Sequence, residues 1–285
     1  MSAVRHRAVR ASSLHEEDQR RAILTRTVEF DVIPRLLEAH AAPVMEAMSD
    51  WVAVAMAPLV AEPFILTAGH VADLVSIVLA DGDLATIGFV ESLHESGAKP
   101  ETIFLDLLAP AARKLGEMWD DDECDFTEVT VGLWRLQTAM RELKPAFQPV
   151  SSVSMDGPRI LLVPMPGETH SFGLSMVYEF FYRAGWNAWT GPVATSAELC
   201  DLVRSEWVEV IGVSIACDEM LDAARRQIAA IRRTSRNPKI GVLVGGPGFI
   251  ANPALAASIG ADGTATDGRQ AVLRAQALMD MATLR

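Results

Sequence analysis

The chain has 285 residues, of which 50% are hydrophobic and 22% are charged, and its net charge at pH 7 is −12. Such a balance is typical of a folded globular protein with room for two domains, and it excludes a disordered chain. The negative charge repels nucleic-acid phosphates, so direct DNA binding is not expected.

Residues 1–60 are predicted to form an N-terminal extension that is partly helical. Apolar residues recur at roughly helical spacing over residues 18–40, and Pro34 interrupts that stretch. The first twenty residues are polar and Arg-rich, without the apolar core of a signal peptide, and no segment reaches the length of a membrane span. Three scattered cysteines exclude a disulfide framework. We therefore expect a cytoplasmic protein.

Four amphipathic helices are predicted within residues 61–148. They cover about 66–79, 84–96, 100–119 and a stretch that starts after the acidic segment DDDECD. Asp125 or Thr127 is expected to cap the fourth helix. The acidic segment lacks EF-hand spacing and is interpreted as a solvated linker. Regular helices with short connections predict an all-α helical-bundle domain.

A Pro/Ser-rich linker, KPAFQPVSSVSMDGP, precedes a different pattern over residues 156–285. Five short apolar runs, at 159–165, 187–191, 208–215, 239–246 and 263–266, alternate with helical segments. This alternation predicts a five-stranded parallel sheet covered on both faces, a flavodoxin-like α/β domain.

Ligands of such sheets bind beyond the carboxyl ends of the strands, so the loops there are the candidate binding loops. Three loops, which follow the first, third and fourth predicted strands, should converge on one edge of the sheet. Their candidate residues are Glu168, Thr169, His170, Ser171, Phe172 and Gly173 in the first loop, Ser214 and Ala216 in the second, and Gly245, Gly246, Pro247 and Gly248 in the third.

These loops resemble the cobalamin-binding module of methionine synthase, corrinoid methyl carriers and mutases. That family has Asp-x-His-x-x-Gly, then Ser-x-Leu, then Gly-Gly. Here the sequence has Glu168-x-His170-x-x-Gly173, then Ser214-x-Ala216 and Gly245-Gly246, in the same order and at matching separations.

The resemblance implies that His170 is the lower axial ligand of cobalt, in place of the cofactor's own base. Neutral imidazole suits such a metal, and Glu168 would accept the other ring N–H and fix the tautomer. Ser214 would hydrogen-bond the displaced nucleotide tail, and the Gly245-Gly246 pair would leave room for it. Ala216, in place of the family's leucine, would leave the space for this tail wider. FMN is disfavoured because the loop lacks GxGxxG; haem is the alternative cofactor, because a related sensor family holds it on this fold.

The segment LAPAARKLGEMWDDDECDFTEVT resembles the helical cap of methionine synthase and of light-sensing cobalamin repressors. The resemblance implies that Trp119 covers the upper face of the cofactor; the alternative is an ordinary core aromatic at a helix end. A Glu-His pair of those repressors falls at Val129 and Thr130, with Glu128 one residue out of register. The missing histidine argues against a switch to bis-histidine ligation at this position.

The segments LGEMWDDDECDFTEVTVGLWRLQTAMREL and GADGTATDGRQAV resemble AerR/PpaA-like photosynthesis antirepressors of purple bacteria. This resemblance implies a cobalamin-binding, light-responsive transcription regulator whose partner is a DNA-binding repressor protein. No catalytic triad or acid–base pair indicates an enzyme. The alternative is a corrinoid methyl-carrier subunit of a methyltransferase system.

Overall fold

The computed structural model describes residues 64–80, 82–147, 157–168, 170–191, 193–216 and 218–283. The predictions for residues 1–60, for the linker after residue 147 and for Thr169 lie outside these residues. The described residues belong to one compact unit, Glu62–Arg285. A helical bundle and a parallel sheet both belong to this unit.

Four helices form the bundle. They are α1 (Ala68–Ala80), α2 (Asp83–Glu95), α3 (Pro100–Thr102, Ile103–Leu108 and Ala109–Asp120 in one run) and α4 (Phe126–Phe147). Their apolar stripes meet in one core, in which Leu74, Phe104, Leu115 and Leu136 are fully buried. In the described part of the chain, no helix has both the length and the apolar character that crossing a bilayer requires.

Helix α3 widens into a π-helix over Ile103–Leu108, which ends two residues before Pro110. Proline has no N–H to donate, and its ring would meet the carbonyl of Asp106 in a regular α-helix. The wider turn avoids this conflict, since the amide of Ala109 donates to the carbonyl of Phe104, five residues earlier. The α-helical geometry then resumes as far as Asp120.

Helix α4 begins with reciprocal capping bonds. The Glu128 amide donates to Oδ1 of Asp125 at 2.8 Å, and the Asp125 amide donates to Oε2 of Glu128 at 2.8 Å. Each side chain satisfies an amide that the first helical turn leaves unbonded. Of the two residues expected as caps, Asp125 and Thr127, the structure has Asp125 in this role.

The second part of the unit is a five-stranded sheet in the order β2-β1-β3-β4-β5, with every neighbouring pair parallel. The strands are β1 (Arg159–Pro164), β2 (Asn187–Thr190), β3 (Val210–Ser214), β4 (Gly241–Gly245) and β5 (Gly263–Thr264). The central strands are buried on both faces, which explains their unbroken apolar runs. The predicted fold class, a helical bundle followed by a flavodoxin-like domain, is confirmed.

The helices that cover the sheet are α5 (Phe172–Arg183), α6 (Ser196–Ser205), α7 (Leu221–Thr234), α8 (Pro247–Ala251), α9 (Ala254–Ser258) and α10 (Gly268–Thr283). The single helix predicted over residues 249–258 is wrong. Pro253 cannot continue the hydrogen bonding of α8, so the chain forms two short helices with a break at Asn252.

Candidate functional site

Three candidate loops leave the sheet side by side. In the strand register Ser214 pairs with Pro164 on one side and with Gly245 on the other. The pairing continues past the strand ends, because the Met165 amide donates to the Ser214 carbonyl at 2.8 Å and the Ile215 amide donates to the Gly245 carbonyl at 2.9 Å. The loops after β1, β3 and β4 therefore share one edge of the sheet.

The loop after β1 buries a carboxylate and exposes an imidazole. Gly167 has a φ of +93°, which favours glycine, and the Glu168 amide closes the turn by donating to the Met165 carbonyl at 2.8 Å. The Glu168 side chain is then 3% exposed, whereas the His170 side chain is 70% exposed. The turn thus holds the acid inside the fold and presents the imidazole outside it.

Among the described residues, the Glu168 carboxylate receives three hydrogen bonds, which come from two loops. Oε1 accepts from the His170 amide at 3.0 Å and lies 2.5 Å from Nδ1 of the His170 ring, while Oε2 accepts from the Ala216 amide at 3.0 Å. Burial acts to raise the pKa of Glu168, but these hydrogen bonds and the nearby imidazole outweigh it, and the net pKa is lowered. The carboxylate is accordingly ionised at neutral pH and joins the β1 loop to the β3 loop.

This pairing determines which ring nitrogen of His170 is available. A carboxylate only accepts hydrogen bonds, so Nδ1 must carry the proton that lies between it and Oε1. In the neutral ring Nε2 then keeps a lone pair, on the side of the imidazole away from Glu168. Nε2 is therefore the nitrogen suited to bind a metal.

Three of the four candidate glycines differ in the space around them. Gly246 has a φ of +136°, and an added Cβ would lie 1.8 Å from the Ile215 carbonyl oxygen, so the close packing of the β3 and β4 loops requires glycine there. An added Cβ at Gly173 or Gly245 would meet nothing within 4 Å. Both positions face open space, and Gly173 is the second residue of α5.

Thr264 is a polar residue at this edge that the sequence pattern did not single out. It pairs with Val244 on β4, next to Gly245. Its Oγ1 is buried and, among the described residues, has no hydrogen-bond partner. A buried hydroxyl in this state is costly unless a ligand or water satisfies it. The sequence signal was weak, because a threonine in a short strand is ordinary.

The remaining loop residues begin helices. Ser171 precedes α5, and Phe172 is its first residue and packs against the bundle core. Pro247 and Gly248 open α8 after Gly246. These positions fix where α5 and α8 leave the edge of the sheet, close to His170 and Gly245.

Trp119 lies at the end of α3 and is not a core residue. Its side chain is 45% exposed and packs edge-on against Phe126, with ring centroids 6.1 Å apart. Phe126 is itself 70% exposed. Glu128 is engaged in the cap of α4, and Val129 packs against the bundle core. The bundle thus carries an exposed aromatic pair, Trp119 and Phe126, whose described contacts are local.

Among the described residues, no three His, Cys, Asp or Glu side chains are grouped as a metal site. Nε2 of His170 is the candidate metal ligand that the described loops offer, and neutral imidazole suits a transition metal held in a cofactor.

Comparison with known families gives two matches. The B12 binding domain family matches residues 158–273, which contain the sheet and the three loops. A second family with the description B12 binding domain matches residues 76–144, which lie in the bundle. Cobalamin binding is therefore supported, and haem is not.

Two individual proteins are also similar. The chain is 35% identical over 75 residues to an uncharacterized 20.5 kDa protein in the bchF-crtJ intergenic region of Rhodobacter capsulatus, a match to 26% of this chain and only 39% of that relative. The fold resembles the Methanosarcina barkeri monomethylamine corrinoid protein with a TM-score of 0.61 and 13% identity, covering 75% of this chain and 98% of that one.

Proposed function

We propose that this protein binds cobalamin with His170 as the lower axial ligand and acts as a regulator that signals to a DNA-binding repressor. It has no catalytic activity of its own in this proposal. Bound cobalamin would supply a cobalt centre whose upper ligand can be exchanged. The two B12 binding domain matches support the cofactor, and the site residues support the way it is held.

One observation carries the proposal: the pairing of buried Glu168 with exposed His170. The carboxylate holds Nδ1 at 2.5 Å, so the ring orientation and tautomer are set before any ligand arrives. A histidine prepared in this way loses little freedom when Nε2 binds a metal. A structural role for the ring gives no reason for leaving it 70% exposed.

The surrounding residues fit the nucleotide tail of cobalamin. Gly173 and Gly245 leave open space where side chains would otherwise stand. The buried hydroxyl of Thr264 lies one strand away from Gly245, without a partner among the described residues. Ser214 lies in register between these loops and is partly buried. An elongated polar ligand beside Gly245 would receive a hydrogen bond from Ser214, whose side chain is on the same face of the sheet, whereas the Thr264 side chain is on the opposite face.

A regulatory role is supported by the relative from Rhodobacter capsulatus, which is encoded between bchF and crtJ. The motif resemblance to photosynthesis antirepressors points the same way. The net charge of −12 agrees with action on a repressor protein rather than on DNA. Trp119 and Phe126 give the bundle an exposed apolar surface, of the kind that shields a metal-bound ligand from water.

A methyl-carrier role is the second candidate. It is favoured by the fold likeness, which extends over 98% of the monomethylamine corrinoid protein. A carrier and a regulator need the same lower ligand and differ in what reacts at the upper face of cobalt.

Absorption spectra test the ligand assignment. Purified full-length protein is mixed with hydroxocobalamin, and we expect a spectrum with imidazole coordinated to cobalt. His170→Ala should lose that spectrum or the binding. The control is His70→Ala, because His70 lies in α1 and not in the three loops. Its Nδ1 accepts a hydrogen bond from the amide of Thr67, which precedes α1. An unchanged spectrum for His170→Ala would mean that the ligand assignment is wrong.

Two further assays separate regulator from carrier. We expect the cobalamin-loaded protein to change the affinity of a purified photosynthesis-gene repressor for its operator, with different strength in darkness and after illumination. Equal affinities under both conditions would reject light-responsive regulation. Methylation of the bound cofactor by a methylamine methyltransferase, without any effect on the repressor, would assign the carrier role.

A further inference from the structure

Helix α5, which begins two residues after His170, lies between two separate hydrophobic cores. Phe172, Met176 and Phe180 recur every four residues and pack with the core of the bundle. Leu174 and Phe181, on the other side of the helix, pack with the core that faces the sheet. Residues four apart lie on one face of an α-helix, so the two faces of α5 belong to two different domains.

Ion pairs hold the same face of α5 to the bundle. Oε1 of Glu179 lies 2.7 Å from Nζ of Lys144 on α4, and the Glu179 side chain is only 7% exposed. Arg183, one turn further on, lies 4.0 Å from Glu101 on α3. Glu101 also accepts a hydrogen bond from Arg269 of α10 at 2.6 Å. The bundle therefore contacts α5 along its length, through apolar side chains and through ion pairs.

The chain is held by contacts on both sides of His170. On its N-terminal side, Glu168 is bonded to the Ala216 amide and thus to the end of β3. On its C-terminal side, Phe172 packs against the bundle core, and the Ser175 amide donates to the Ser171 carbonyl at 2.9 Å as α5 begins. His170 therefore lies between one residue that is bonded to the end of β3 and another that packs against the bundle.

We propose that the helical bundle positions His170 through Phe172 and Met176 of α5. This inference rests on the proposed role of His170 and assigns the bundle a task other than covering the upper face of cobalt. A displacement of the bundle moves the face of α5 that carries Phe172, and the short Ser171 connection passes the displacement to the imidazole. Met176 is thus a positioning residue, because it acts on the ligand through other residues.

The test compares Met176→Ala with Val177→Ala in the full chain. Val177 is the next residue on the same helix but packs toward the sheet, so its truncation removes apolar contacts without loosening the bundle. The ring resonances of His170 in the cobalamin-free protein are measured by NMR and assigned with His170→Gln. We expect Met176→Ala to shift and broaden the His170 signals and Val177→Ala to leave them in place. Equal effects of both variants, or no effect of either, would overturn the proposal.

A second readout uses the hydroxocobalamin spectrum. The fraction of bound cofactor with imidazole coordination should fall several-fold in Met176→Ala and remain at the wild-type level in Val177→Ala. If Met176→Ala does not fold, Glu101→Gln replaces it, since this change removes the pairing with Arg183 and Arg269 and leaves the apolar core intact. Because the NMR readout needs no cofactor, it still decides the positioning role when His170 proves not to bind cobalt.

Discussion

Replacing Lys144 with methionine is expected to destabilise the protein, because it removes a cationic partner of a buried carboxylate. Lys144 and Glu179 are 2.7 Å apart, and the Glu179 side chain is 7% exposed. For unit charges at this distance and an effective dielectric constant of about 20, the attraction is about 6 kcal/mol. Lys144 is 38% exposed, so solvent screening and desolvation offset much of this attraction. We expect the free energy of unfolding to fall by about 1–3 kcal/mol.

The assay is a double-mutant cycle on the cobalamin-free protein. Urea unfolding of the wild type, Lys144→Met, Glu179→Gln and the double variant gives the coupling energy between the two side chains. Coincident transitions by fluorescence and circular dichroism establish that the unfolding is two-state. A coupling energy within about 0.3 kcal/mol of zero would refute the reasoning, because contacting residues that interact do not behave additively.

Three further predictions concern single positions. Gly246→Ala should lower the free energy of unfolding, measured with urea, by about 3 kcal/mol or more. Gly245→Ala should change the stability of the cobalamin-free protein by less than about 1 kcal/mol and should weaken cobalamin binding in a spectral titration. Similar stabilities for the two variants would contradict the proposed difference. Burial and the Glu179 charge, opposed by Lys144, raise the pKa of Tyr178 above its ordinary 10.0, so its contribution to stability is present below pH 10.0 and is lost as the pH rises through the folded value. An absorbance titration of Tyr182→Phe, which leaves Tyr178 as the only tyrosine, should show a higher midpoint folded than in urea, and equal midpoints would refute it. Asp125→Ala should cost about 1 kcal/mol in thermal or urea unfolding through the lost cap of α4, and no loss would mean that Glu128 alone suffices.

The sheet edge could be predicted from the sequence because each step depends on local patterns. Alternating strands and helices imply parallel pairing, and parallel pairing brings the carboxyl ends of β1, β3 and β4 together. Pro164, Ser214 and Gly245 are in lateral register as this reasoning requires. The position of His170 beside them followed from its place in the chain.

The contacts that hold the site together could not be predicted from such patterns. The sequence shows that α5 is apolar on more than one side, but it does not reveal that Phe172 and Met176 belong to the bundle while Leu174 belongs to the sheet. The bond from the Ala216 amide to Glu168 joins residues 48 apart and depends on the length of the glutamate side chain. Local periodicity carries no information on either pairing.

The wide turn of α3 has a consequence for aligning related chains. Each residue advances a regular helix by about 100°, and the additional residue before Pro110 rotates everything downstream by about that amount. A homologue that lacks both the proline and this residue would form an equally well-bonded helix, yet its indole would point in another direction around the axis. Spacing counted back from Trp119 is therefore transferable only between chains that share the π-helical insertion.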